Sequence, residues 1–258
     1  MSDPMPASNP KTVFITGATA GFGAAMARRF HADGHRVIVT GRRAPRLEAL
    51  AGELGEKVHA VALDVRDRDA IAAAVASLPP DFAEVDVLIN NAGLALGLEP
   101  AQAADPDDWE QMIDTNVRGL VFMTRALLPG MVQRGRGHVV NLGSIAARYP
   151  YPGGNVYGAT KAFVHQFSLN LRADLHGTGV RVTDLQPGLC RDTEFSEVRF
   201  GGDSAKVSAL YAGADALTPE DVAEAAAWVT SLPARMNVNA MELMPVSQSF
   251  GPLPIARR

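Results

Sequence analysis

The chain has 258 residues, of which 47% are hydrophobic, 20% charged and 6% aromatic, and its formal net charge is −4. This composition can fill a sizeable core, and the charge gives no electrostatic basis for binding nucleic acid or an anionic membrane. No apolar run is long enough to span a bilayer. The single cysteine, Cys190, excludes an internal disulfide framework, suits a reducing cytoplasm and is interpreted as a small packed residue.

Short apolar runs alternate with amphipathic stretches along most of the chain. The pattern predicts strands at 11–16, 35–41, 57–65, 85–93, 137–144, 179–188 and 237–246. It predicts helices ending near 33 and at 44–54, 67–78, 105–131, 155–175 and 218–232. The alternation indicates an α/β fold: one doubly wound Rossmann-type domain with a parallel, seven-stranded sheet covered on both faces.

The domain is expected to span 11–246, between a flexible N-terminal tail at 1–10 and a C-terminal tail at 247–258. The first residues lack the apolar core of a signal peptide. One long irregular insertion, 189–216, interrupts the alternation, and such excursions often serve as lids over a bound substrate. We therefore interpret 189–216 as a substrate lid.

A glycine-rich turn, TGATAGFG at 16–23, joins the first strand to the first helix. Little side-chain bulk there lets a pyrophosphate reach backbone N–H groups and the positive end of the helix. Glycines are also common turn formers, but their place between strand and helix favours a dinucleotide site.

The second strand ends in Gly41, Arg42 and Arg43, where an NAD site would carry an acidic residue for the ribose hydroxyls. Two guanidinium groups instead match a 2′-phosphate, which favours NADP. The alternative is a solvated charge pair, although cations at a helix N-terminus oppose the helix dipole. Asp64 ends the third strand and could accept from an adenine amino group or cap the next helix, for which Asp67 is better placed.

Tyr157 and Lys161 lie one helical turn apart on the inward face of helix 155–175. An ammonium group stabilises phenolate, so we expect Lys161 to lower the pKa of Tyr157 and to make an acid/base pair. The alternative is a surface tyrosine beside a snorkelling lysine. Ser144 ends the preceding strand, where its hydroxyl could bind a substrate oxygen, and Asn116 lies inside the long helix, where a buried amide needs partners.

The histidines show no metal-ligand spacing, so no metal is expected, and His165 is interpreted as a core-edge or subunit-contact residue. Together, TGATAGFG, NNAG at 90–93, Asn116, Ser144 and YGATK at 157–161 resemble the short-chain dehydrogenase/reductase family. Longer matches, such as GRRAPRLEAL and TEFSEVRF, resemble its NADP-dependent 3-hydroxy acid dehydrogenases. The resemblance covers about 12–246.

The resemblance implies a role for each matching residue. Tyr157 would be the acid/base, Lys161 would lower its pKa and bind ribose, Ser144 would orient the substrate oxygen, and Asn116 would hold a proton-relay water. NADP would contact Gly17, Ala18, Thr19, Ala20, Gly21, Phe22, Gly23, Arg42, Arg43, Asp64, Val65, Asn91, Ala92, Gly93, Tyr157, Lys161, Pro187, Gly188, Leu189 and Thr193. A homotetramer formed through the two long helices is also implied.

The expected reaction is hydride transfer between the nicotinamide and the C3 hydroxyl or carbonyl of a small 3-hydroxy acid, such as serine, allo-threonine, 3-hydroxyisobutyrate or 3-hydroxypropionate. A carboxylate substrate needs a cation, and Arg199 is ranked ahead of Arg148 and Arg191 because its segment matches the group. Arg148 and Arg191 lie in stretches, ARYPY and CRD, that depart from the group's pattern. The alternatives are a broader carbonyl or 3-oxoacyl reductase, or a non-catalytic NADP sensor.

Overall fold

A computed structural model describes residues 10–251, so the tails predicted at 1–10 and 247–258 lie mostly outside the described residues. The strands are β1 (Thr12–Ile15), β2 (Arg36–Gly41), β3 (Val58–Ala62), β4 (Val87–Asn90), β5 (Gly137–Leu142), β6 (Val180–Pro187) and β7 (Ala240–Leu243). The helices are α1 (Gly21–Ala32), α2 (Ala44–Leu54), α3 (Arg68–Ala76), α4 (Pro106–Ile113), α5 (Leu120–Gln133), α6 (Asn155–Asp174), α7 (Glu194–Arg199), α8 (Ser204–Tyr211) and α9 (Pro219–Ser231).

The seven strands form one parallel sheet in the order β3-β2-β1-β4-β5-β6-β7. This confirms the predicted doubly wound sheet. The chain moves outward from β1 to β3 and then crosses back to β4, so the order reverses between β1 and β4. Loops diverge at such a reversal and leave a cleft at the carboxyl ends of the strands.

Two apolar layers cover the faces of the sheet. On one face, Met26 and Phe30 of α1 pack with Val222 of α9 against alternate strand residues. On the other, Met123 of α5 and Leu171 of α6 pack against the remaining strand residues. The central strands are therefore apolar on both faces, as their continuous hydrophobic runs predicted.

Three regions differ from the predictions. The helix expected at 105–131 is divided by a π-helical turn, Asp114–Gly119, between α4 and α5. The insertion 189–216, expected to be irregular, contains the short helices α7 and α8. At the C-terminus, Gln248 Oε1 accepts from the Leu189 backbone N–H at 2.8 Å, so the described part of the expected tail packs on the domain.

Local capping follows the sequence closely. Thr218 and Asp221 form the expected capping box at the start of α9. Asp67, the better of the two cap candidates, accepts from the backbone N–H groups of Asp69 and Ala70 at the start of α3. Within residues 10–251, no helix is both long enough and apolar enough to cross a membrane.

Candidate active site

The glycine turn after β1 has no room for larger residues. Gly17 has a φ of +67°, and a Cβ on Gly23 would lie 2.4 Å from the Gly17 carbonyl oxygen. Asn91, at the end of β4, donates from Nδ2 to the carbonyls of Thr16 and Gly17 at 2.8 and 3.0 Å. Glycine and this amide therefore hold the turn tightly against β4 and leave a smooth backbone cradle.

The first turn of α1 leaves its backbone donors available. Its N-cap residue, Ala20, makes no capping hydrogen bond, and the turn contains no acidic residue. By contrast, Asp67 and Thr218 cap α3 and α9 with side-chain oxygens. Free N–H groups at the positive end of a helix suit an anion such as a pyrophosphate. The cradle therefore fits the phosphates of a dinucleotide.

Two arginines flank this cradle at the end of β2. Arg43 donates to Thr19 Oγ1 at 2.7 Å and forms an ion pair with Glu194 of α7 at 2.8 Å. Arg42 is exposed and makes no side-chain hydrogen bond or ion pair within the described part of the chain. The Arg43 guanidinium therefore lies beside the glycine turn, whereas Arg42 follows the end of β2 with an exposed side chain.

Asp64 does not cap α3. Its carboxylate receives a bidentate pair from Arg66, at 2.6 Å for the shortest contact, and this hydrogen bond holds the pKa of Asp64 below its usual range. Val65 is buried against Gly119, where a Cβ would lie 2.7 Å from a Val65 methyl carbon. Position 119 therefore packs closely against the loop that follows β3.

The start of the 189–216 segment closes one side of the cleft. Thr193 caps α7, and its methyl carbon would lie 3.4 Å from a Cβ on Gly21. Gly188 donates to the Leu243 carbonyl at 2.7 Å and packs against Gln248. Cys190 is half-buried, and burial raises the pKa of its thiol to about 12, as expected for a packed residue.

Helix α6 places Tyr157 and Lys161 on its buried face, with 8% and 7% of their surfaces exposed. This confirms the face expected from the sequence. Lys161 Nζ donates to the Leu142 carbonyl at 2.7 Å and lies 5.8 Å from the centre of the Tyr157 ring. The ammonium group is thus held between the end of β5 and the phenol.

The expected lowering of the Tyr157 pKa is not found. Burial raises the pKa of this phenol well above its ordinary value, and the Ser144 side chain and the Arg199 charge act against that rise. Burial also lowers the pKa of Lys161, to about 8, because charged forms are poorly solvated there. Desolvation is therefore the largest cause of the pKa shift at both groups.

Ser144 and Asn116 complete the polar group around Tyr157. Ser144 is buried at the end of β5, and its Oγ accepts from the Ala146 backbone N–H at 3.1 Å. Asn116 lies in the π-helical turn and exchanges hydrogen bonds with Leu94, at 2.9 and 2.8 Å. A Cβ on Gly93 would lie 3.2 Å from Asn116 Oδ1 and 3.6 Å from Lys161 Nζ. The π-helical turn thus brings this amide close to the lysine.

Arg199 is the arginine that reaches the site. Its guanidinium lies 5.6 Å from the centre of the Tyr157 ring and donates to the Tyr151 hydroxyl at 2.7 Å. Arg148 and Arg191 are both exposed, and Arg191 pairs with its neighbour Asp192 at 3.3 Å. The structure therefore places one of the three arginine candidates beside the phenol.

Three neighbours of the site were not identified from the sequence. Thr160 accepts from Asn116 at 3.1 Å, Tyr151 binds Arg199, and the Phe195 ring lies 5.7 Å from that of Tyr157. Thr160 could have been found, because it lies three residues after Tyr157 on the same helical face. Tyr151 and Phe195 belong to loops or short helices, where no periodic pattern indicates direction.

Comparisons with known proteins place the chain among dehydrogenases. Residues 11–201 match the family model described as short chain dehydrogenase. The chain is 62% identical over 245 residues to an NADP-dependent 3-hydroxy acid dehydrogenase of Salmonella typhi, covering 95% of this chain and 99% of the relative. It is 54% identical to a serine 3-dehydrogenase of Agrobacterium fabrum, covering 95% and 98%.

A solved structure is also similar over nearly the whole chain. It is the closed form of a serine dehydrogenase complexed with NADP+, with a TM-score of 0.94 and 60% sequence identity. The match covers 95% of this chain and 99% of that one.

Proposed function

The chain belongs to the short-chain dehydrogenase family, and on that premise we propose that it is an NADP(H)-dependent oxidoreductase. Its substrates are small 3-hydroxy acids or the corresponding carbonyl compounds, the class named for the relatives at 62% and 54% identity. The observation that carries the proposal is the position of Arg199, a cation 5.6 Å from the Tyr157 ring. It puts a carboxylate-binding group next to an acid/base candidate.

Cofactor binding is assigned to the cradle between β1 and β4. Gly17, Gly21 and Gly23 give the pyrophosphate access to the uncapped start of α1. Arg42 and Arg43 bind the 2′-phosphate, and a guanidinium fork matches phosphate oxygens well. Bound NADP+ supplies the hydride-accepting ring.

Tyr157 exchanges the proton of the substrate hydroxyl. Ser144 binds the substrate oxygen, and its side chain also acts to lower the Tyr157 pKa. Lys161 provides the positive charge that favours phenolate, and it binds the nicotinamide ribose. Because burial opposes ionisation of Tyr157, the phenolate depends on the positive charges of Lys161 and of an oxidised nicotinamide.

Arg199 binds the substrate carboxylate. Its Nε and one terminal nitrogen are directed to the Gly97 carbonyl and the Tyr151 hydroxyl, at 3.4 and 2.7 Å. A guanidinium has five N–H donors, so others stay available for a carboxylate. Tyr151 and Gly97 hold the cation in place, which reduces the entropy lost on binding.

We also propose a cytoplasmic homotetramer formed through the α5 and α6 faces. Phe163 and Leu169 of α6 and Val132 of α5 expose 40%, 37% and 39% of their surfaces. Apolar side chains exposed on neighbouring helices are typical of an interface. Analytical ultracentrifugation tests the proposal: Phe163→Glu should convert the tetramer to smaller species, and a wild-type monomer would contradict it.

The function is tested by measuring NADP+ reduction with L-serine, L-allo-threonine, 3-hydroxyisobutyrate and 3-hydroxypropionate, with NAD+ in parallel. We expect turnover with NADP+ for at least one acid, and kcat/KM reduced about tenfold to a hundredfold in Arg199→Met through a higher KM. The reverse assay uses the matching carbonyl acids and NADPH.

The matched control uses methyl esters of the same acids, which lack the carboxylate charge. Wild type should prefer the free acids, whereas Arg199→Met should lose that preference. A panel in which long, uncharged ketones or 3-oxoacyl thioesters exceed every acid would reject the substrate class and favour a broader carbonyl or 3-oxoacyl reductase. Binding of NADPH without turnover of any substrate would indicate a sensor.

A further inference from the structure

A carboxylate lies buried beneath α6, outside the group of residues assigned above. Asp184 of β6 is 0% exposed. Its Oδ2 atom lies 2.8 Å from His165 Nδ1 and accepts from Gln186 Nε2 at 2.5 Å. Gln186 Nε2 also lies 2.9 Å from His165 Nδ1. His165 and Gln186 thus both contact the same oxygen of the carboxylate, and His165 donates to it in the tautomer that carries the proton on Nδ1, because a carboxylate only accepts.

The other oxygen of Asp184 faces the segment that links the catalytic groups. A Cβ on Gly143 would lie 2.2 Å from Asp184 Oδ1. Gly143 joins Leu142, whose carbonyl accepts from Lys161, to Ser144. Among residues 10–251, no donor reaches this oxygen. The carboxylate therefore packs directly on the backbone between the Lys161 acceptor and the Ser144 hydroxyl.

We propose that Asp184 is a positioning residue for the proton transfer: its carboxylate is the buried counter-charge that keeps Lys161 protonated, while His165 and Gln186 hold it in place. The catalytic meaning of this inference rests on the function proposed above. The spacing supports it, because Tyr157, Lys161 and His165 follow one another at four-residue steps along α6. A buried charge needs such a partner, since an isolated one is strongly disfavoured.

The electrostatics agree with this geometry. Burial lowers the pKa of Lys161 to about 8, and the Asp184 charge acts to raise it. A pKa so close to neutrality makes the protonated fraction sensitive to any nearby charge. The charged or titratable groups on the elements packed around Asp184 include Lys161, His165 and Tyr157 on α6, with Arg172 and Asp174 farther along that helix. The neighbouring strands carry His138 on β5, Arg181 on β6 and Glu242 on β7, and the Tyr149 hydroxyl donates to Glu242 at 3.1 Å.

The test reads the Lys161 charge directly. The chain contains four lysines, Lys11, Lys57, Lys161 and Lys206, so carbon-13 labelling at lysine Cε gives few NMR signals. The signal that disappears in Lys161→Arg identifies Lys161. We expect it to titrate near pH 8 in the wild type and at least about one unit lower in Asp184→Asn.

The matched control is Asp174→Asn, which removes the same charge from an exposed position at the end of α6. It should leave the Lys161 titration unchanged. If Asp184→Asn does not fold, Asp184→Ser removes the charge with less volume and keeps an acceptor for His165. Equal Lys161 titrations, within about 0.3 units, in wild type and a folded Asp184 variant would overturn the proposal.

The pH profile connects the titration to the reaction. In Asp184→Asn, the fall of kcat at high pH should begin about one unit lower than in the wild type, because Lys161 loses its proton earlier. An unshifted profile beside an unshifted titration would reject the positioning role. A shifted titration in a protein that turns over none of the substrates supports the counter-charge and rejects the proposed function instead.

Discussion

The two halves of the cleft differ in the groups that form them. The nucleotide-facing half, around β1 and α1, depends on absent side chains: a Cβ on Gly23 would lie 2.4 Å from the Gly17 carbonyl oxygen. The half around α6 depends on buried polar side chains, with Tyr157 and Lys161 at 8% and 7% exposure. Substitutions in the glycine turn should therefore affect stability and cofactor binding together, whereas removal of the Tyr157 hydroxyl should act mainly on the rate.

The largest effect is expected at the phenol. Tyr157→Phe removes the proton-exchanging hydroxyl but keeps the ring that packs against Phe195. Turnover should fall by about 10²- to 10⁴-fold, the usual contribution of general acid–base catalysis. NADPH binding, followed by fluorescence, and the urea unfolding midpoint should stay close to the wild-type values. Turnover within about threefold of the wild type would remove Tyr157 from the mechanism.

In the glycine cradle we expect a substitution to change stability and cofactor binding. Gly23→Ala puts a methyl group against backbone atoms at 2.4 and 2.8 Å, so we expect a loss of about 1–3 kcal/mol in unfolding free energy and weaker NADPH binding. Gly52→Ala is the control, because it lies inside α2 with no neighbouring atom within 4 Å. It should stabilise by about 0.5–1 kcal/mol. Equal urea midpoints for both variants would contradict the close packing.

The choice between NADP+ and NAD+ tests the nucleotide-facing half. Arg42→Asp should weaken NADP+ binding about tenfold to a hundredfold and leave NAD+ binding nearly unchanged, because only NADP+ carries the 2′-phosphate. Isothermal titration with both nucleotides measures the difference. Arg36→Asp, on the same strand but outside the proposed phosphate contacts, is the charge control. Equal losses for both nucleotides in Arg42→Asp would reject the phosphate role.

The smallest effect is a pH dependence of stability in the α6 half. Folded Lys161 loses its proton near pH 8, whereas an unfolded lysine keeps it to about 10.5. Between these values the unfolded state binds more protons, so stability rises with pH. Urea unfolding at pH 7.5 and 9 should show the wild type gaining about 1 kcal/mol relative to Lys161→Met. If the wild type instead lost unfolding free energy relative to Lys161→Met between these pH values, a lowered Lys161 pKa would be excluded.

The predictability of the site also differs between the halves. The sequence indicated the local patterns of both halves. These are the glycine turn, the arginines after β2 and the four-residue step from Tyr157 to Lys161. The predicted direction of the Tyr157 pKa shift was wrong: a lowered pKa was expected and the structure raises it. The shift depends on burial, which the spacing of two residues does not reveal. Nothing local connected Arg199 to Tyr151, since 48 positions separate Tyr151, in the loop before α6, from Arg199 at the end of α7.

The sequence by itself determined the parallel seven-stranded sheet, its elements and the end of the strands at which the polar motifs meet. Hydrophobic periodicity and glycine spacing act over a few residues, so they can be read without coordinates. Tertiary structure alone decided which polar groups lose water and which charges face each other. It placed Asp184 against the Gly143 backbone and His165 of α6, and Arg199 beside Tyr157. Desolvation and Coulomb interactions depend on such distances between segments far apart in the chain.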